Sequence, residues 1–537
     1  MRIFYDSMLL GEGYMKKIFR SFVCIVFSCM IFLMGCGNKD SDIEVIDDNY
    51  RNYYEIFVRS YADSNGDDIG DLNGVSEKLD YISDMGFTGI WLMPIMESTT
   101  YHKYDVVDYM SIDPEYGNLD DFKNLVENCH EHDIKIIIDL AMNHTSSKHE
   151  WFLTAVDYIK GLGDDEDIDT SKCKYAGYYN FSKEKEDGSW VNIDGTSWYY
   201  EAVFWSEMPD LNLKNSDVQK EFEDIAKFWI DMGVDGFRMD AAMHYEEADY
   251  ETNNEILNNF YNYCLGLDDD FYMVSEVWSD KSTIANYYKS MTPSFFNFPV
   301  SSTDGILEKV AMGTAKASSY VNTMLDDEKV YGESNPDFID APFLTNHDQT
   351  RVCNNLRSDL NDLKMAAGLL LTMPGNTFVY YGEEIGMKSS GTKDENKRLA
   401  FIWSEDEDSY MCKDPDDADE VEQVFPALDE QLLDETSLAN YYKDALYLRN
   451  KYPVIARGDV QNVEDITNDT IAATIRTYED DKIAILYNTS DENMDVDMTG
   501  TDIEGYKLVD SLLISDGEVL QDGDVMTLPA QSICILK

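Results

Sequence analysis

From about residue 53 the chain alternates between two hydrophobic periodicities, and this alternation limits the fold more than any other feature. Eight short runs rich in β-branched and aromatic residues recur: "YEIFVRSY" (54–61), "GFTGIWLMPI" (86–95), "IKIIIDLAMNH" (134–144), "GVDGFRMDAA" (233–242), "FYMVSEVW" (271–278), "SFFNFPVSS" (294–302), "APFLTNHD" (341–348) and "NTFVYYGEEIG" (376–386). Between them lie stretches such as "LDDFKNLVENCHEHD" and "VQKEFEDIAKFWIDM", whose apolar residues recur at three and four spacing, as one face of a helix requires. Strands separated by helices pair in parallel through crossover connections, and eight such units close on themselves. The expected fold is α/β, a (β/α)8 TIM barrel over residues 50–450.

Two departures from strict alternation mark further parts. Residues 145–208, after the third run, are aromatic and rich in Gly and Asp, and they are too long for an ordinary loop, so a small inserted subdomain is expected there. From 455 to 537 strand patterns follow one another with turn signals and no helical period, which predicts a C-terminal antiparallel β-sandwich.

Several runs end in charged or polar residues: Asp139, Asn143 and His144; Arg238 and Asp240; Glu276; His347 and Asp348. In a barrel of this kind those ends converge on one mouth, where catalytic groups gather. An Arg238–Asp240 pair buried there is costly without a function, so the pair points to a site. Two carboxylates on neighbouring strands are the equipment for glycoside hydrolysis, one ionised for attack and one protonated for the leaving oxygen. Asp240 beside Arg238 is suited to the first role, and Glu276 among apolar neighbours to the second.

The ordered set "DLAMNH", "GFRMDAAMH", "SEVW" and "TNHDQTR", supported by "MPDLN" (208–212) and "YYGEEIGM" (380–387), resembles the signature regions of the α-amylase family of retaining glycoside hydrolases. The likeness runs from about residue 53 to the "LPAQSICIL" ending. It implies Asp240 as nucleophile, Glu276 as general acid/base and Asp348 as the carboxylate that fixes sugar hydroxyls in the transition state. It also implies that Arg238, His144 and His347 hold the same glucose ring, with Tyr104 stacked beneath it and His102 and His244 as further substrate contacts. The implied reaction is a double displacement through a glucosyl ester.

Substrate signals within the resemblance are mixed. "YHKYD" (101–105) is similar to the tyrosine-histidine pattern of α-amylases, and Tyr101 stands where exo-acting oligo-1,6-glucosidases usually carry an acid. Ala241 replaces the valine common in α-1,6-specific members, which favours α-1,4 bonds in starch or malto-oligosaccharides. Met243 stands where many amylases have a lysine that binds sugars on the leaving-group side, and "MPDLN" is similar to the group intermediate with neopullulanases. An α-glucosidase or neopullulanase-like glucosyl-transferring enzyme is therefore the alternative. A non-catalytic surface glucan-binding protein fits less well, because all three carboxylates are present. The insertion's Trp190, Trp198, Tyr199, Tyr200 and Trp205 read either as subdomain core or as faces for sugar rings.

The segment "DSNGDDIGD" spaces Asp63, Asn65, Asp67, the carbonyl of Ile69 and Asp71 as oxygen donors for a hard cation, expected as structural Ca2+, and is similar to a metal loop after the first strand in family members.

The formal charge of −63, from 42 basic and 105 acidic residues, excludes nucleic acid as a partner. "MKKIFRSFVCIVFSCMIFLMGCGN" has a basic start, an apolar stretch and a small residue before Cys36, a secretory layout that makes residues 1–35 a signal peptide, with translation starting at Met15. "LMGC" resembles a bacterial lipobox, which implies lipidation at Cys36, a polar tether over 36–49 and an extracytoplasmic, cell-surface protein that meets the membrane through its lipid only. The six later cysteines show no metal or disulfide spacing and are expected as buried thiols.

Overall fold

The computed structural model describes residues 45–537 apart from 164, 186, 187, 406–409 and 516; the expected signal segment 1–35, the expected lipidation at Cys36 and residues 37–44 of the expected tether lie outside the described residues. Seven of the eight runs form parallel strands: β1 (Asn52–Ile56), β2 (Gly89–Leu92), β3 (Lys135–Leu140), β4 (Gly236–Met239), β5 (Tyr272–Ser275), β6 (Ser294–Phe295) and β7 (Thr377–Tyr380). They lie in the order β6-β5-β4-β3-β2-β1-β7. The seventh run, 341–348, makes no strand, and it closes the ring instead through two isolated parallel bridges, Ala341 to Phe296 and Phe343 to Phe378. Pro342 has no amide hydrogen to give a ladder, but its carbonyl accepts from Phe378 N at 3.0 Å and the Ala341 carbonyl accepts from Asn297 N at 3.0 Å.

Strand alternation separates two cores. Inward-facing Tyr53, Trp91, Ile137, Tyr272, Val274 and Phe378 fill the barrel, with Tyr53 stacked on Phe378 at 4.8 Å between ring centres. Gly89 permits this, since a Cβ there would meet the Tyr53 ring at 2.6 Å. Outward-facing Tyr54, Ile90, Ile136, Ile138 and Phe237 pack under the helices. The helix Ser216–Asp231 shows why its sequence folds so: Val218, Phe222, Ile225 and Trp229 form one buried stripe, and Asn215 caps its start by accepting from Asp217 N.

The insertion after β3 is a helix, Glu150–Lys160, with a three-stranded sheet of Phe181–Ser182, Tyr199–Glu201 and Trp190–Asn192. Trp198 and Tyr200 are core there, while Trp190 is partly exposed and Trp205 exposed.

Beyond the barrel come β8 (Asp459–Asn462), β9 (Ile471–Tyr478), β10 (Asp481–Asn488), β11 (Met494–Asp497), β12 (Leu508–Leu513), β13 (Leu520–Asp522), β14 (Val525–Leu528) and β15 (Ser532–Leu536). They form an antiparallel sheet β8-β9-β10-β15-β12 and a smaller sheet β11-β14-β13. Ile475, Leu486 and Cys534 of the first sheet share a core with Val496, Met526 and Leu528 of the second, so the two faces make a sandwich. The alternate residues Ile483, Ile485, Tyr487, Ile533 and Ile535 belong to the main core and dock the sandwich on the barrel.

Ahead of β1, Asp48 accepts from Arg457 Nε at 2.7 Å and Nη2 at 2.8 Å, and the Ile46 carbonyl accepts from Arg51 Nη1 at 2.9 Å. This clamp lies at the end of the barrel where the strands begin. Cysteines 129, 173, 264, 353, 412 and 534 are free and buried, as expected from their spacing.

Candidate active site

The two-residue period of β4 answers for its charges. Arg238 points into the barrel, and Asp240, just past the strand end, points the same way one step higher. Arg238 is 1% exposed. Its Nη1 donates to Asp139 Oδ1 at 3.0 Å and Asp240 Oδ1 at 2.5 Å, and its Nη2 pairs with Glu276 Oε2 at 2.9 Å. One guanidinium fork therefore braces carboxylates from the ends of β3, β4 and β5. Ala241 follows in a left-handed conformation, φ 49° and ψ 37°, which an alanine adopts at a cost of roughly 1–2 kcal/mol. That turn aims the Ala241 amide at Glu276 Oε2, 3.1 Å away.

A second brace holds Asp348. Its Oδ1 accepts from Arg398 Nη2 at 2.7 Å and its Oδ2 lies 3.1 Å from His347 Nε2. His347 Nδ1 lies 2.5 Å from Glu55 Oε1 on β1, and the Tyr104 hydroxyl joins His347 Nε2 (2.8 Å) to Asp139 Oδ2 (3.1 Å). The Tyr104 ring stacks on the His347 ring.

Burial and charge set the protonation states. Burial raises the Glu276 carboxyl, with Asp240 and Asp348 adding to the rise against the pull of Arg238. Burial lifts Asp139 to about 7 although Arg238 opposes it. Burial would strip the proton from His347, but Asp348 and Glu55 on either side hold it and bring the value to about 9. Burial also pushes Asp348 upward, yet the His347 and Arg398 cations overcome this and hold it far below the usual carboxylate range. Burial lowers His102 and His144 to about 4, so both rings are neutral and can donate as well as accept. Both ring nitrogens of His144 are buried without a partner in the protein.

These groups surround an open cavity of about 480 Å3. Asp240, Glu276, Asp348, His102, Tyr104, His144 and His244 line it, so seven of the nine catalytic and substrate-contact candidates come together on one surface. Arg238 and His347 stand behind that surface, committed to the carboxylates. Met243 is on the wall, and Phe204, Trp205 and Trp278 form a rim, each 48% exposed.

Four groups of this site were not assigned from sequence. Glu55 was visible as an acid within an apolar run, and Trp278 as an aromatic two residues beyond Glu276. Arg398 and Phe204 carry no local signal, because each arrives on a long loop whose course depends on the whole fold.

The loop 63–71 is wound on its own carboxylates. Asp63 accepts from the amides of Asn65 (3.0 Å), Gly66 (2.7 Å) and Asp68 (2.8 Å), Asp71 from Ser64 N (3.0 Å), and Asp67 from Ile69 N (3.0 Å). Asp63 and Asp71 are buried, and Asp67 is exposed. The donor set is all oxygen, which suits a hard cation. Asp63, Asp67 and Asp71 do not converge within 4.8 Å, as Asp268, Asp269 and Asp270 alone do among the described residues.

Comparison with known proteins agrees with this geometry. A sequence model of the α-amylase catalytic domain matches residues 55–458. Alpha-amylase 3 of Dictyoglomus thermophilum is 41% identical over 451 residues, which are 82% of this chain and 85% of that protein. Among solved structures, Eubacterium rectale Amy13B is 43% identical with a TM-score of 0.89, covering 92% of this chain and 96% of its own. An α-amylase from H. orenii is 34% identical with a TM-score of 0.78, covering 91% and 99%. By the match over most of its length and by these identities, the chain belongs to the α-amylase family.

Proposed function

We propose that the protein is a retaining α-amylase that hydrolyses α-1,4-glucosidic bonds of starch and malto-oligosaccharides. The observation that carries this reading is the pair Asp240 and Glu276 facing one open cavity from a shared guanidinium, with burial raising Glu276 toward protonation. Asp240 attacks the anomeric carbon while Glu276 gives its proton to the departing glycosidic oxygen, leaving a glucosyl ester and the first product. Glu276, now a carboxylate, takes a proton from water as that water attacks the ester, and Asp240 is released. Arg238 holds one oxygen of Asp240, and the charge it spreads over three carboxylates keeps the nucleophile oriented. Asp348, ionised beside His347 and Arg398, accepts from sugar hydroxyls, and the neutral His102 and His144 add contacts in both senses. Tyr104 offers its ring and His244 its edge on the same wall.

Open access supports action on long chains. The position of Tyr101 supports it too, because its hydroxyl accepts from Arg398 Nη1 at 3.2 Å and no acid at that position narrows the cavity. Exo-acting glucosidase or transferase activity remains the second reading, favoured by Met243 on the wall, which gives the leaving-group side no cationic hydrogen bond.

The loop 63–71 would hold Ca2+ through Asp63, Asn65, Asp67, the Ile69 carbonyl and Asp71 once the carboxylates, which stand apart on loop amides, are drawn together by the ion; it would neutralise their charge and fix the loop without entering the reaction. Lipidation at Cys36, removal of residues 1–35 and a cell-surface location complete the proposal; mass spectrometry of the membrane fraction tests them. For the activity, products from starch and end-labelled maltoheptaose are followed over time, with Asp240→Asn as the blank. Mixed oligomers appearing early support the endo-amylase, whereas glucose alone would replace it with the exo reading.

A further inference from the structure

A second cleft, of about 860 Å3, opens between the inserted subdomain and the turn that follows β4. Phe181, Trp190 and Glu201 of the small sheet form one wall, and Lys214, Glu246 and Glu247 form the other. Lys214 and Glu246 are paired at 2.8 Å, and Asn180 Nδ2 donates to Glu201 Oε2 at 2.8 Å. The cleft adjoins the catalytic cavity at two places. Val203 lines the cleft and its neighbour Phe204 lines the cavity, while Glu247 of the cleft lies 2.5 Å from Nδ1 of His244, which lines the cavity.

The lining narrows the ligand. Three carboxylates against one lysine, itself paired, exclude a phosphorylated or other anionic ligand. The many carboxylate, amide and hydroxyl groups do not suit an apolar one. A partly exposed indole for stacking, flanked by carboxylates and an amide for hydroxyls, is the chemistry that recognises a neutral sugar chain. We propose that this cleft is a second α-glucan site, which takes a distal segment or branch of the chain whose scissile bond lies in the catalytic cavity. The inference rests on the amylase reading for its ligand. It adds that long and branched substrates are held at two points and short ones at one.

The test uses the full enzyme and two substitutions, Trp190→Ala, which removes the stacking face, and Ser182→Trp, which fills the cleft without deleting a contact wall; Trp190→Phe serves as the conservative variant. Binding is read as retardation in native gels containing amylopectin, in an Asp240→Asn background so that no polymer is cut. Turnover is read in the active background on amylopectin and on a blocked maltotrioside. The expected result is about a tenfold loss of amylopectin affinity and of kcat/KM on amylopectin for both substitutions, the scale of one aromatic contact, with the maltotrioside unchanged and Trp190→Phe largely restored. Retardation equal to wild type in both variants overturns the proposal. Equal loss on both substrates without rescue by phenylalanine also overturns it, since the indole would then serve only to hold the subdomain. Failure of the wild type to cut starch would instead overturn the amylase reading, and the retardation would still decide whether the cleft binds glucan.

Discussion

Replacing Glu55 by glutamine tests whether the protonation of the site is set from β1, a strand that brings no group to the cavity surface. The His347 imidazole is fully buried and its value is about 9 against 6.5 for a free ring. The shift of about 2.5 units corresponds to roughly 3 kcal/mol of favourable interaction for the charged form. Asp348 and Glu55 share it, so loss of the Glu55 charge should remove about 1–2 kcal/mol. The sign follows from linkage: a histidine with a raised folded value contributes stability fully below pH 6.5 and loses it as pH rises to about 9. Glu55→Gln is therefore expected to lower the urea-unfolding free energy most at pH 6 and hardly at all at pH 9.5. His347 then gives up its proton about one unit lower, so the alkaline limb of kcat/KM that follows the loss of this proton should move to lower pH by about one unit. A destabilisation of equal size at pH 6 and pH 9.5, or an unmoved alkaline limb, would refute the argument. It would show that the 2.5 Å contact is a neutral hydrogen bond.

Glu276→Gln should lose at least about a hundredfold on starch, yet keep most of its glycosylation rate on a glucosyl fluoride, whose leaving group needs no proton; equal loss on both would remove Glu276 from the acid role. The buried carboxyls of Glu383 and Asp340, raised to about 8 by burial, and Glu308, raised to about 7, contribute stability that is full below their unfolded values near 4 and is lost as pH rises toward 8. Melting temperature should accordingly fall between pH 5 and 8, and Glu308→Gln should flatten that fall; a flat wild-type profile would contradict it. Chelation with EDTA should destabilise the wild type by about 3 kcal/mol if Ca2+ stands at a hundred times its Kd, and Asp63→Ala should abolish the difference. An unchanged melting curve would remove the ion from the loop.

Much of this was written in periodicity. The seven strands and the convergence of Asp139, Asp240, Glu276 and Asp348 follow from residues two apart pointing the same way at strand ends. The segment 341–348 has the apolar pattern of a strand, but Pro342 cannot donate to a ladder and the ring closes there by single bridges. Arg398 was illegible for a different reason. It sits fifty residues after Asp348 in the chain, and only the packing of the loop beyond β7 brings its guanidinium to Asp348. Glu55 was readable as a buried acid but not as the partner of His347, because that contact joins residues 292 apart in sequence. The roles of Trp190, Trp198 and Trp205 could not be divided by composition. One fills the subdomain, one edges the catalytic cavity and one faces the second cleft.

The ion pair between Asp48 and Arg457 also has a mechanical meaning. Force transmitted along the residues that precede β1 enters the barrel at its floor, through that pair and the Arg51 contact, rather than through any loop of the rim. A pull on those residues is therefore borne by the floor of the barrel and the C-terminal side of the fold, and the loops that shape the catalytic cavity carry none of it.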